Sequence, residues 1–149
     1  MRIEARHCDE RGSTAVEFAL IVVLFFTLIF GMIQYSLYFW STQAAANAAR
    51  EGARRGAVGQ TCADLQSRTS DQIKLHDTTP VASRTYEDPS TGASAAPATG
   101  VNVRVTITYN SIDLHFPFVP FINNGAVSET AVARVENYST LVPGKWTAC

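Results

Sequence analysis

From Phe18 to Trp40 the chain is apolar at nearly every position, and Gln34 is the one strongly polar side chain in the run. At about 1.5 Å per residue, a helix over this stretch is long enough to cross the roughly 30 Å hydrocarbon layer of a bilayer. Tyr35, Tyr38 and Trp40 gather at its far end, where amphipathic rings favour the headgroup layer. The pattern predicts a single transmembrane helix over 13–40. A secretory signal peptide is the competing reading, since Ala44-Ala45-Ala46 offers a small-residue cleavage site. Against it, a signal h-region is usually about 7 to 15 residues, whereas this run is longer, starts at an acid and continues into further helix.

Past Trp40 the helical period persists to about Val58, now alanine-rich, with Glu51 four residues before Arg55 for a surface ion pair. This predicts that the helix extends beyond the membrane over 41–58. Two adjacent i, i+4 rows along it consist of small residues: Ala44, Ala48, Gly52 and Gly56, and beside them Ala45, Ala49, Ala53 and Ala57. Helix propensity accounts for the alanines but not for the glycines, each of which costs about 1 kcal/mol in a helix interior. The rows read as a surface for close backbone approach, against either the chain's own sheet or a neighbouring subunit.

The region 59–149 has the size of one small domain. Cys62 to Leu75 reads as a weak helix or an irregular segment. Thr78 to Gly100, rich in Thr, Ser, Ala, Pro and Gly, reads as loop, with a mobile stretch at about 86–100. Val101, Val103, Val105, Ile107 and Tyr109 then alternate with polar residues, the period of a half-buried strand. A second strand is expected from about Val127 to Tyr138. Between them Ile112 to Ile122 is apolar, but Pro117 and Pro120 bar it from a central strand. Asn123-Asn124-Gly125 suits a turn before the last strand. The fold class expected is α+β: a long N-terminal transmembrane helix extending into a small domain, where an antiparallel pair packs on the helix's small-residue face.

Composition narrows the chemistry. The formal net charge is −1 and no basic tract interleaves with aromatics, so nucleic acid is not expected as a partner. Arg2, Arg6 and Arg11 before the helix favour a cytoplasmic N-terminus, a bias that Arg50, Arg54 and Arg55 on the other side reduce. With that orientation Cys8 faces a reducing compartment, whereas Cys62 and Cys149 bracket the downstream region in an oxidising one, so a disulfide between them is expected. Two unrelated thiols are the alternative. His7, His76 and His115 lie far apart without metal-ligand spacing, and Asp64, Asp71, Asp77, Glu87 and Asp88 are spaced like an ordinary solvated surface. There is neither a phosphate loop nor a nucleophile elbow. The expectation is a protein that is not an enzyme and needs no cofactor.

Glu17 stands out from this background. A carboxylate at the edge of hydrocarbon costs a few kcal/mol unless it finds a partner. Thr14-x-x-Glu17 fits a capping box, which would satisfy the carboxylate locally at a helix start. An intermolecular counter-charge is the other solution, and the two remain open on the residues alone.

Arg11-Gly12-Ser13-Thr14-Ala15-Val16-Glu17-Phe18-Ala19-Leu20, the apolar helix, Asn47-Ala48-Ala49-Arg50-Glu51-Gly52-Ala53-Arg54 and the late Thr130-Ala131-Val132-Ala133-Arg134-Val135-Glu136 resemble the TadE-like family. These are pilin-like proteins of the bacterial tight-adherence (Tad) pilus, related to type IV pilins. The resemblance is close over the N-terminal third and loose beyond it. It implies a cytoplasmic leader over 1–12, cleavage by a prepilin peptidase between Gly12 and Ser13, and assembly through Glu17, whose carboxylate would meet the free α-amino group of an adjoining subunit. The implied partners are other pilin-like subunits, the prepilin peptidase, the inner-membrane assembly platform and membrane lipid. Departures are the short leader, which is not clearly basic, and Phe18 where the system's pilins often carry tyrosine. The implied function is that of a minor pilin or pseudopilin in the inner membrane with a periplasmic domain; the alternative is an uncleaved single-pass scaffold of the secretion machine.

Overall fold

The structure, a computed structural model, describes residues 11–73, 78–116, 119–139 and 144–149. Residues 1–10, with His7 and Cys8, and also His76 and Asp77, lie outside the described residues. Helix α1 runs unbroken over Arg11–Gly56, so the membrane-length segment and its extension form one rod. It is the one helix among the described residues long and apolar enough to cross a membrane. Thr27 and Ser36, hydroxyls within the apolar run, donate to the carbonyls of Val23 and Met32, each four residues back, at 2.8 and 2.6 Å. That local closure lets a hydroxyl sit on an apolar helix without an outside partner.

Three antiparallel strands follow, β1 (Val81–Glu87), β2 (Asn102–Asn110) and β3 (Ala126–Arg134), in the spatial order β1-β2-β3. Alternation works as expected on β2: Val103, Val105, Ile107 and Tyr109 point into the core. They meet the inner face of α1, where Ala45, Ala48, Ala49, Ala53 and Ala57 are buried. The helix approaches closely because its side chains there are short. A Cβ added to Gly52 would stand 2.9 Å from Leu65 Cδ1 and 3.1 Å from Val105 Cγ1, and one on Gly56 would stand 3.1 Å from Val103 Cγ2. These glycines lose helix propensity and gain contact with the sheet.

Two differences from the sequence expectation have physical reasons. The stretch read as loop from Thr78 contains β1, whose inward positions include Arg84 and Tyr86. A buried arginine conceals the apolar alternation that announces a strand. The second strand ends at Arg134 rather than near Tyr138. Beyond it, Val135 pairs with the start of β2 through Val135 N to Val101 O at 2.9 Å and Gly100 N to Val135 O at 2.7 Å. The segment from Cys62 is a regular helix, α2 (Cys62–Gln72), started by Thr61, whose side-chain oxygen accepts from Asp64 N at 3.1 Å. The turn into β3 is at Asn123-Asn124-Gly125, where all three residues have positive φ, as such side chains tolerate.

Arg84 is fully buried, and among the described residues no Asp or Glu side chain forms an ion pair with it. Its guanidinium donates to the carbonyl oxygens of Gln60, at 2.5 Å, and Thr147, at 3.0 Å from Nε and 2.5 Å from Nη2. Desolvation pulls its pKa below the ordinary arginine value, yet the carbonyl cage satisfies its donors. The same site carries the Cys62–Cys149 disulfide, with Cα atoms 6.2 Å apart. The terminal residue also pairs with β1, through Arg84 N to Cys149 O at 2.7 Å and Cys149 N to Arg84 O at 3.0 Å. Cys149 thereby covers the outer edge of β1 at Arg84.

On the solvent side of the α1 extension, Glu51 binds both Arg54 and Arg55. Hydrogen bonds from Arg54 and then Arg55 lower its carboxyl from 4.5 to about 2.

Three outcomes follow for the folded domain. Gly52→Leu destabilises it by about 2–3 kcal/mol through overpacking against Leu65 and Val105, whereas Gly31→Ala, with open space around it, leaves thermal unfolding unchanged. Reducing the Cys62–Cys149 bridge, which spans a sequence separation of 87, lowers stability by about 4 kcal/mol in the chain-entropy model; neither thiol reacts with alkylating agent in the unreduced, denatured protein. A carboxyl depressed by folding contributes stability above its unfolded value and loses it as the pH falls, so the Glu51 contribution disappears between pH 4.5 and about 2. Because the pair is solvent-facing, that contribution is under about 1 kcal/mol, and acid titration of Glu51→Gln is flatter over this window.

Candidate assembly surface of the long helix

The residues expected to carry processing and assembly lie at the start of α1. Gly12, Ser13 and Glu17 are all exposed on the helix surface. Thr14 lies inside α1 rather than at its N-cap, because the helix already runs from Arg11. The capping box is therefore not the arrangement seen in this chain. Glu17 has no ion-pair partner among the described residues. Its surroundings are Val16, Phe18, Leu20 and Ile21, all large, apolar and exposed. This part of α1 offers the carboxylate on an exposed apolar shaft, so whatever covers the shaft also decides how the charge is neutralised.

Higher on α1 the small residues separate into roles. Ala48, Gly52 and Gly56 are buried and Ala44 is half-buried. Gly52 and Gly56 face Leu65, Val103 and Val105 of the same chain. Of the two occupants left open by the sequence, the chain's own sheet takes this surface.

The junction between shaft and domain rests on a residue that sequence reasoning noted but left without a role. Gln34, only 2% exposed, donates from Nε2 to Ile112 O at 2.9 Å and accepts at Oε1 from Leu114 N at 3.0 Å. Tyr35 donates from its hydroxyl to Pro120 O at 2.9 Å. Tyr38 meets the Phe121 ring edge-on, and Phe30 stacks on Phe116 with centroids 4.3 Å apart. Two turns above Gln34, Ser41 Oγ donates to Leu37 O and bonds Ser111 Oγ, each at 2.9 Å, while the Tyr109 hydroxyl donates to Ser41 O. The apolar connection after β2 is thus strapped to α1 over the last turns of the membrane-length run. The available signal was the polarity of Gln34: an amide in an apolar helix needs a partner, and the nearest unpaired backbone in the fold is a loop.

The Cys62–Cys149 pair lies at the opposite end of the domain from this junction, beside Arg84, and takes no part in the shaft. His115 is on the strap with its ring 3.6 Å from the Asp113 carboxylate, both well exposed. Among the described residues no group of His, Cys, Asp and Glu is gathered as a metal site.

The chain matches no curated protein and no solved structure. Its exposed shaft and the glycine-bearing face above it are the part that compares with known proteins: residues 12–54 match the model of the TadE-like protein family, the family that the N-terminal residues resemble.

Proposed function

We propose that this chain is a minor pilin or pseudopilin of a Tad-type adhesion pilus, held in the inner membrane by α1 and cut by a prepilin peptidase after Gly12. A match to the TadE-like family suggests involvement in Tad pilus assembly and pilus-related partners. One N-terminal apolar helix is consistent with a single-pass membrane protein. The observation that carries the finer reading is Glu17, an exposed carboxylate without an ion pair among the described residues, fifth in the chain that begins at Ser13. In a bundle of such helices, the ammonium group created at Ser13 of one subunit is the counter-charge for Glu17 of another. The two charges attract strongly where water is excluded, and either alone is costly there. Pairing of this kind fixes axial register between subunits as well as contributing attraction. The N-terminus lies in the cytoplasm and the domain in the periplasm, the compartment in which the Cys62–Cys149 bridge is stable.

N-terminal sequencing of the protein from cells is expected to begin at Ser13, and an intact Met1 supports the uncleaved scaffold instead. Glu17→Gln is expected to retain membrane insertion and the folded domain while losing piliation. Unaltered piliation in that variant removes the intermolecular role of the carboxylate.

A further inference from the structure

The strap between β2 and β3 occupies an unusual position for a polypeptide loop. It descends alongside α1 from Ser111, opposite Ser41, past Gln34 to Phe116, opposite Phe30. Counting from Phe18 at the cytoplasmic edge, Phe30 lies about 18 Å along the helix axis. A hydrocarbon layer of roughly 30 Å then still has about 12 Å to run on the far side of Phe30. A loop stacked on Phe30 therefore lies at the depth of acyl chains rather than above them, unless α1 is displaced far enough toward the periplasm to carry Glu17 well into the hydrocarbon.

The composition of the strap agrees with that depth. Leu114 and Ile122 are 38% and 42% exposed, and Phe116, Val119 and Phe121 are partly exposed, on a segment otherwise docked to the helix. Its backbone polarity is reduced in the way a non-aqueous setting requires: Ile112 O and Leu114 N are taken by Gln34, Pro120 O by Tyr35, and His115 N by Asp113 Oδ1 at 2.8 Å. The reversal is made at His115, whose φ is +51°, and its ring faces the Asp113 carboxylate. That polar pair is at the level of Gln34, about 6 Å inside the far hydrocarbon boundary on the same count, within reach of headgroups for side chains that extend toward water.

We infer that the strap residues 112–116 and 119–122 form a membrane-seated wedge whose exposed apolar side chains pack among acyl chains of the periplasmic leaflet beside α1. The inference uses the membrane placement of α1 and is independent of processing and of entry into a fibre. Non-helical backbone at such depth is tolerated where protein satisfies it, and Gln34 and Tyr35 supply those partners. The wedge also widens the footprint of the protein in one leaflet and seats the domain directly on the bilayer.

Depth measurement on the full-length protein in phosphatidylcholine/phosphatidylglycerol vesicles tests this. A Cys8→Ser background that retains the Cys62–Cys149 bridge takes a nitroxide at Leu114→Cys, Phe116→Cys or Val119→Cys, with Thr91→Cys in the β1–β2 connection as the aqueous reference. Positions 114, 116 and 119 are expected to collide at least fivefold less with a water-soluble nickel chelate than position 91, and more with oxygen. Leu114 is exposed and Val119 partly exposed, and neither ring-stacks on Phe30, so they report even where replacing Phe116 disturbs its stack. Chelate accessibility equal to that at position 91 overturns the wedge. Protection that disappears when the protein is diluted into excess lipid also overturns it, and assigns the surface to a second copy of the chain. Failure of the protein to float with the vesicles overturns the membrane placement of α1 together with the wedge.

Discussion

The Gln34 amide is the constraint around which the molecule is organised. One unbroken helix is exposed and apolar on all sides over its first turns and buries one side against a protein core farther on, and Gln34 stands where the second pattern is established. Its two hydrogen bonds to the backbone of the strap, at 2.9 and 3.0 Å, satisfy an amide that is almost fully buried. An unpaired buried amide costs about 1–3 kcal/mol, and here removal of the side chain would also strand a carbonyl and an amide of the strap. The interaction fixes which residues of α1 belong to the domain and which to the exposed shaft. Everything from Gln34 toward Gly56 is committed to intramolecular packing on at least one side, while the run below Phe30 is free to be covered by something else.

The domain attached to this junction is small, and close contact between helix and sheet contributes to its stability. Alanines and glycines on α1 allow the β2 valines to touch the helix backbone region, so many short-range contacts form beside the larger buried side chains of Leu65, Ile73, Tyr86, Ile107 and Trp146. Arg84 and the Cys62–Cys149 bridge complete the far side. The arginine links the carbonyls of Gln60 and Thr147, and the disulfide ties the start of α2 to the chain terminus that covers β1. The core of this small domain is thereby supplemented by one polar knot and one covalent one.

Much of this was legible in the residues. The long helix, its extension to the last glycine, the alternating β2 and the Asn-Asn-Gly turn follow from periodicity and turn chemistry, which are local properties. Cys62 and Cys149 were named as a pair on compartment and position. What escaped is non-local. β1 was hidden because its inward Arg84 is stabilised by carbonyls from Gln60 and Thr147, at a distance that no pattern along the chain discloses. The strap could be recognised as apolar and proline-broken, but its place beside Phe30, Gln34 and Tyr38 depends on where β2 delivers the chain relative to the helix. In the uncut chain the helix begins before Thr14, so Thr14 is not its N-cap.

The same geometry constrains how Glu17 can work. Because Gln34 ties the domain to a fixed position on a continuous helix, the carboxylate is held about 25 Å below the tie, measured along the axis. A subunit therefore cannot adjust the height of its charge independently of its domain. If two such chains bundle, the offset between their shafts is also the offset between their domains, and a charge pair formed in the apolar region would select one stagger from the many that a smooth surface of Val, Leu, Ile and Phe permits. Apolar packing alone is weakly directional and would tolerate slippage by a turn, whereas a buried unpaired carboxylate would not. In this reading the apolar shaft supplies contact area and Glu17 supplies register. The Gln34 tie transmits that register from the shaft to the folded domain.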